Sequence, residues 1–437
     1  MKMFRQIVLL WHRYVGLALA LFLIVVGVTG SIKVFDEELD RLISPQWYAA
    51  PQPGVPTLDL ATLAECAQGD VPPNGWIAGV ELEPGRARVI VLPPLPDPPA
   101  QKGQKLDINK LLAFPPFLVY LDPWTGQKLG RRSTSVSFTD GLDGAHQFIS
   151  SLHDRLALDV FGLIPGAVGR MLLGLVALLW TIDCFFATYL TLPITLKNFW
   201  ARWKPSWLIK RGANAYRLNL DLHRASGLWL LPLLFVFAWS SVMLNLGSVH
   251  RSVSRVFFTY PTPQDEAARR NRMAPRPALS DEQSRRVAPL SIRETLAVGQ
   301  RAAAAEAAKR GLAINRTCNL LSLSNRGDGA LLLLRTSQDF VGNDEFCDTQ
   351  LDFNGRTGEV YAFTTSLSPS GGAPSGTVVN AWLQQLHYAK HFGLAYKVLV
   401  CALGLIVAML SVTGIYIWWK KRRVRKSRVP EFGLAEA

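Results

Sequence analysis

Four long apolar runs limit what this chain can fold into. The first is Val8 to Val34, interrupted only by His12, Arg13 and Lys33; the second runs from about Pro165 to Pro193, the third from Gly227 to Leu246, and the fourth from Leu394 to Trp419. Each has about 20 residues or more, enough for a helix to cross a hydrocarbon layer of roughly 30 Å. Hydrophobic residues make up 49% of the chain. Their concentration in four runs, rather than an even spread, predicts four transmembrane helices.

Charge placement predicts the orientation. Lys2, Arg5 and Arg13 flank the first run, Lys197, Arg202, Lys204, Lys210, Arg211 and Arg217 fill the connection after the second, and Lys420 to Arg428 follow the fourth. Short basic segments stay on the cytoplasmic side, so both termini and this connection face the cytoplasm and the two long connections lie outside. The net charge of +14 is largely this topology signal, and it gives no reason to expect nucleic-acid binding. The first run is too long for a signal peptide and lacks an A-x-A-like cleavage site, so it reads as a retained anchor.

Histidines mark the ends of the runs. His12-Arg13-Tyr14-Val15-Gly16-Leu17 and His223-Arg224-Ala225-Ser226-Gly227-Leu228 share the pattern H-R-x-x-G-L, 211 residues apart. The two stand at the inner ends of helices that run in the same direction, so they can share a depth and face one haem iron from opposite sides. His153 and His391 stand near the outer ends of helices two and four and can hold a second. Two axial imidazoles leave no open position on iron, which favours electron transfer over oxygen chemistry. At the outer end His146 shares a helical face with His153, and His387 with His391, so either member of each pair is a candidate ligand. A zinc site built from these four lacks carboxylate or thiolate support at good spacing. His250 reads as a surface residue. Arg13 and Arg224 either neutralise haem propionates or only follow the positive-inside rule. Asp183, inside the second apolar run, reads as a proton relay, an acceptor for a ligand histidine or Trp180, or a buried protonated acid.

With no C-x-x-C-H motif, any haem is b-type. Of the five cysteines, Cys318 and Cys347 share the second external segment and are either a disulfide or two thiols. Strand-like runs cover 87–92, 117–121, 331–335 and 351–361, and 290–311 reads as an amphipathic helix. Asp122-Pro123-Trp124-Thr125-Gly126 and Asn354-Gly355-Arg356-Thr357-Gly358 form similar glycine turns at corresponding places, so the chain reads as a tandem repeat of helix, external α+β unit, helix.

With these residues assembled, the chain resembles the PepSY-associated transmembrane family, which includes inner-membrane siderophore-iron reductases. The resemblance is carried by H-R-x-x-G-L in helix one, Ser151-Leu152-His153, Leu386-His387, His391-Phe392-Gly393, the pairs Thr29-Gly30 and Thr413-Gly414, and the two D/N-x-x-T-G turns. Thr191-Leu192 and Leu244-Asn245 stand where T-G would fall in helices two and three. The resemblance implies a four-helix transmembrane bundle with two periplasmic α+β PepSY-like insertions and two haem b groups. It further implies a ferric-siderophore reductase, an oxidoreductase acting on metal ions, that releases Fe(II) in the periplasm. Residues 1–34 then form the cytoplasmic N-terminus and helix one, 35–143 the first periplasmic domain, 144–193 a periplasmic helix and helix two, and 194–222 a basic cytoplasmic loop. Residues 223–247 form helix three, 248–377 the second periplasmic domain, 378–419 a periplasmic helix and helix four, and 420–437 a basic tail. No nucleotide-binding fingerprint occurs, so the electron donor is a membrane quinol or a separate cytoplasmic reductase. Two other readings compete. A transporter of iron or its chelate predicts more spanning helices or a polar cavity in the membrane; a haem-free PepSY-type regulatory anchor gives no reason for paired histidines at both faces.

Overall fold

The computed structural model describes residues 2–73, 75–92, 116–162, 165–262, 264, 267, 291–322, 329–337, 347, 349–365, 374–390 and 392–426. His391, much of the proline-rich stretch before Pro116, the basic start of the second external segment and the tail beyond Lys426 lie outside them. Two compact units result: residues 1–36, 146–256 and 383–437 form one, and 37–145 with 257–382 the other.

The first unit is helical. Helix α1 (Lys2–Lys33) packs lengthwise on α12 (Gly393–Lys426) and also touches α5 (Gly166–Thr191). These three are long and apolar enough to cross a membrane. Small residues set how closely α1 and α12 approach: a Cβ on Gly27 would lie 2.6 Å from Gly404 O, and one on Gly404 would lie 2.5 Å from Gly27 O. Such backbone contact is how helices pack where lipid removes the hydrophobic drive between them. Ser31 Oγ adds a bond to Cys401 O at 2.8 Å.

The third apolar run departs from the expected straight span. It forms α7 (Ala215–Trp229) and α8 (Leu231–Asn245), bent by 72° at Leu230, and the pair counts as a fourth span only if taken together. Pro232 accounts for the break: it has no N–H for the carbonyl of Leu228, which takes the N–H of Leu230 instead. The helix also starts earlier than expected, capped by Asn214, whose side chain accepts from Arg217 N. Helices α4 (Gly141–Arg155) and α11 (Ser375–Tyr388) precede the second and fourth runs, as expected. Both end in residues forced into left-handed backbone, Leu156 and Ala157 after α4 and Ala389 after α11. Non-glycine residues hold that conformation at a cost, and here it turns each chain sharply toward the next helix.

In the second unit the two inserted segments, 37–145 and 257–382, share one antiparallel sheet. Its strands are β1 (Trp76–Glu83), β2 (Arg86–Leu92), β3 (Phe117–Leu121), β4 (Lys128–Ser133), β5 (Ile314–Ser322), β6 (Gly329–Thr336), β7 (Thr349–Asn354) and β8 (Val360–Thr365). The order β4-β3-β2-β1-β5-β6-β7-β8 is symmetric about the β1–β5 seam, where Gly79, Val80 and Glu81 pair with Leu321, Leu320 and Asn319. Each half contributes a helix: α3 (Leu60–Cys66), capped by Asp59, and α10 (Ile292–Lys309), opened by a Ser291–Glu294 capping box. Leu63, Val80, Val89, Leu121, Leu320, Leu332, Leu351 and Phe353 form a core common to both halves. Cys318 and Cys347 are joined in a disulfide.

The two glycine turns are equivalent atom for atom. Asp122 Oδ1 accepts from Trp124 N and Thr125 N, as Asn354 Oδ1 does from Arg356 N and Thr357 N. Gly126 and Gly358 follow at φ +74° and +75°, which glycine adopts without steric cost.

Candidate functional site

The helical unit brings four histidines into two pairs. His12 on α1 faces His223 on α7 with ring centroids 6.1 Å apart, and His153 on α4 faces His387 on α11 at 6.5 Å. Two imidazoles bound on opposite sides of one metal ion, each at about 2 Å, place their centroids about 6 Å apart. His12 and His223, paired in the sequence reading, are thus brought face to face. In the second pair His387 stands opposite His153, while the residue favoured from sequence, His391, lies outside the described residues.

Each imidazole is anchored through Nδ1. His12 Nδ1 lies 2.9 and 3.1 Å from the two carboxylate oxygens of Asp183 on α5. His223 Nδ1 lies 2.9 Å from Leu410 O and 3.1 Å from Thr413 Oγ1 on α12. His153 Nδ1 lies 3.2 Å from Thr29 Oγ1, and His387 Nδ1 lies 2.8 Å from Ser240 Oγ on α8. The three hydroxyls have a common property. Thr29, Thr413 and Ser240 each give their proton to a carbonyl of their own helix, Val25 O at 2.7 Å, Met409 O at 2.9 Å and Phe237 O at 3.0 Å. Each then offers only a lone pair to the histidine, so Nδ1 carries the proton and Nε2 keeps its lone pair. Metal-binding histidines are oriented in this way.

These contacts give the T-G pairs a physical role. Thr29 and Thr413 hold Nδ1, and the next residue makes room for the ring: a Cβ on Gly30 would lie 2.8 Å from His153 Cε1, and one on Gly414 would lie 3.4 Å from His223 Cε1. Helices two and three, which lack T-G, provide Asp183 and Ser240 instead. Asp183 stands as acceptor to His12 Nδ1. Ser240 was not singled out in the sequence, although Ser240-Ser241 is the polar interruption of an otherwise apolar run. One turn beyond His12 and His223, on the same helical face, Gly16 and Gly227 border open space: a Cβ there would meet nothing within 4 Å.

The remaining candidates stand elsewhere. His146 Nε2 lies 2.8 Å from Asp36 Oδ1, away from the His153 pair. Burial disfavours the Asp36 carboxylate, but the His146 hydrogen bond and charge hold its pKa below the usual value. Arg224 is committed to Asp221, fully buried, at 3.0 Å and to Pro205 O at 2.7 Å. Arg13 is half-buried and makes no ion pair among the described residues. His250 is corrected from surface to core: it has no exposed area, its ring lies 4.8 Å from that of Trp239 at a tilt of 40°, and it contacts Ser254 Oγ at 3.3 Å. The short helix that carries it (α9, Gly247–Ser254) is amphipathic, and its serines disguise the buried face.

A search among curated proteins gives no match. The family described as the PepSY-associated TM region matches residues 9–421, a span that includes both histidine pairs and the whole sheet. The chain is therefore a membrane protein with transmembrane helices and belongs to the PepSY-associated transmembrane family.

Proposed function

We propose that this protein is a dihaem b-type electron carrier of the bacterial inner membrane that reduces ferric siderophore on the periplasmic side. The observation that carries the reading is the pair of facing histidines at each site, with all four Nδ1 atoms anchored. The donor set fits haem: two neutral imidazoles per site, Nε2 available on each, and glycines at 16 and 227 leaving space beside the ligand face for a flat ring. His12 and His223 hold one group, His153 and His387 the other. Bound haem supplies a one-electron Fe(III)/Fe(II) couple.

The protein's own part is to hold the rings and to span the distance. His12 and Thr29, which touch the two sites, are 17 residues apart on α1, about 25 Å at 1.5 Å per residue. One site near each face divides the crossing into shorter steps. The reading takes the bent α7–α8 pair as a fourth span, with both termini in the cytoplasm, the sheet in the periplasm, and a quinol or cytoplasmic reductase as donor.

The test is the absorption spectrum of the purified full-length protein from haem-replete cells. A reducible b-type Soret and α-band is expected, with one component lost in His12→Ala or His223→Ala and the other in His153→Ala or His387→Ala. A colourless protein sinks the reading. A screen of ferric chelates as oxidants of the dithionite-reduced protein then tests the acceptor.

A further inference from the structure

The four anchoring contacts are not alike. His223, His153 and His387 donate to neutral oxygens, a backbone carbonyl or hydroxyls. His12 alone donates to a carboxylate, and both oxygens of Asp183 lie within hydrogen-bond distance of its Nδ1. Asp183 is 8% exposed, and among the described residues no lysine or arginine pairs with it. Neighbouring charges cancel elsewhere: Arg224 and Arg217 are taken up by Asp221. At the second site the acid next to His153, Asp154, is bridged by Lys33 at 2.5 Å. An uncompensated carboxylate therefore stands one hydrogen bond behind one ligand at one site only.

We infer that Asp183, acting through His12, gives the His12–His223 site a lower reduction potential than the His153–His387 site, so that this one carboxylate contact directs electrons from the first site to the second. This rests on the haem reading above. Oxidised iron carries one positive charge more than reduced iron, so a fixed negative charge nearby favours the oxidised form. The effect is larger in a poorly solvated site, where charges are weakly screened. The hydrogen bond itself acts in the same direction, since a carboxylate acceptor makes the imidazole a stronger donor to the metal than a hydroxyl or carbonyl does. It also answers the energetic question that Asp183 poses. A buried carboxylate without a basic partner is costly, and a cationic metal beyond His12 offsets that cost. Asp183 is in these terms a positioning residue, with its influence on the iron transmitted by the imidazole.

The experiment is a potentiometric titration of the full-length protein followed by absorption, comparing the wild type with Asp183→Asn, which keeps the acceptor oxygen and removes the charge. Two one-electron components are expected, and the lower is assigned to the first site by its absence in His223→Ala. In Asp183→Asn the ratio of reduced to oxidised iron in the lower component rises at least tenfold at fixed ambient potential, an upward shift of about 59 mV or more. The upper component stays in place, and Asp183→Glu keeps the lower component low. Ser240→Asp is the converse variant and guards against a failed Asp183→Asn: a carboxylate behind His387 lowers the second component at least tenfold by the same measure. Haem-loaded proteins whose components do not move in these variants, or in which Asp183→Asn moves the upper one, overturn the inference and leave the haem reading standing. A protein with no haem overturns both.

Discussion

Gly27 on α1 and Gly404 on α12 place their backbones in direct contact, the carbonyl of each standing against the place where a Cβ on the other would lie. The contact lies between the two helices that carry His12, Thr29 and Thr413. Replacing Gly404 with leucine forces these backbones apart, and overpacking of this kind costs about 1–3 kcal/mol. A lower thermal midpoint for the detergent-solubilised protein is expected, together with, on the proposed haem reading, loss of pigment at both sites. Gly16→Leu, where the chain leaves open space, should lower the midpoint less; equal midpoints for the two variants would refute the packing argument.

Gly30 and Gly414 hold equivalent places in the two repeats but differ in tolerance. A methyl at Gly30 meets His153 Cε1 at 2.8 Å, whereas at Gly414 it meets His223 Cε1 at 3.4 Å, ordinary contact. Gly30→Ala should therefore displace the His153 ring and remove the spectral component of that site, with the His12 component kept. Gly414→Ala should leave both in place. Absorption and electron-spin spectra of the two variants side by side decide the point.

The sheet unit contains a buried ionic cluster that predicts its behaviour in acid. Asp40, 5% exposed, takes Arg86 Nη1 at 2.7 Å, Arg132, and the Tyr48 hydroxyl at 2.7 Å. Burial alone would raise the Asp40 pKa, but the Arg132 and Tyr48 hydrogen bonds and the charges of Arg132 and Arg86 bring it below the usual 3.8. A carboxyl with a depressed folded pKa stabilises fully above its unfolded value, and the stabilisation disappears as pH falls through the folded one. Denaturant midpoints of the sheet unit, followed by Trp47 fluorescence, should hold from neutrality to about pH 4 and decline below it. Asp40→Asn should cost about 3–5 kcal/mol at neutral pH, the penalty of stranding buried charge, and should flatten the acid decline. A steep decline persisting in the variant would assign acid sensitivity to other carboxylates.

The matched turns predict an unequal pair of substitutions. Gly126 and Gly358 share a positive φ, so alanine at either costs about 1–2 kcal/mol in backbone strain. At Gly126 the new methyl also lies 2.7 Å from Cys66 Sγ, while at Gly358 the nearest atom is Val298 Cγ1 at 3.3 Å. Gly126→Ala should be the more destabilising in chemical denaturation, and Cys66→Ala should recover the excess. Equal losses would show that backbone conformation alone sets the cost.

Much of this was legible from residue patterns because it is local. Apolar length identifies the spans, short apolar runs bounded by turn residues identify β2, β3 and β6, and one repeated motif marks His12 and His223. What was not legible depends on distant partners or on one atom. The bend at Leu230 follows from a missing N–H on Pro232, which hydropathy counts as just another member of an apolar run. The continuous sheet depends on β1 meeting β5, and neither strand signals so remote a partner. The four-residue spacing of His387 and His391 does not choose between them; in the fold α11 ends at Tyr388, and the contact of His387 with Ser240 on α8 sets its ring toward His153. The role of the T-G pairs became clear only with the rings resting on them.

The β1–β5 seam also bears on how the protein is made. Gly79 finds its partner Leu321 about 240 residues later in the chain, after α5 and the α7–α8 pair have been synthesised. Until then β1 is a sheet edge with unpaired backbone groups, open to mispairing with any extended segment nearby. Contacts this distant in sequence close slowly. The first four strands must therefore wait, half-finished, for the second half of the chain to be inserted, and a protein that guards exposed strands during that interval should raise the yield of folded product.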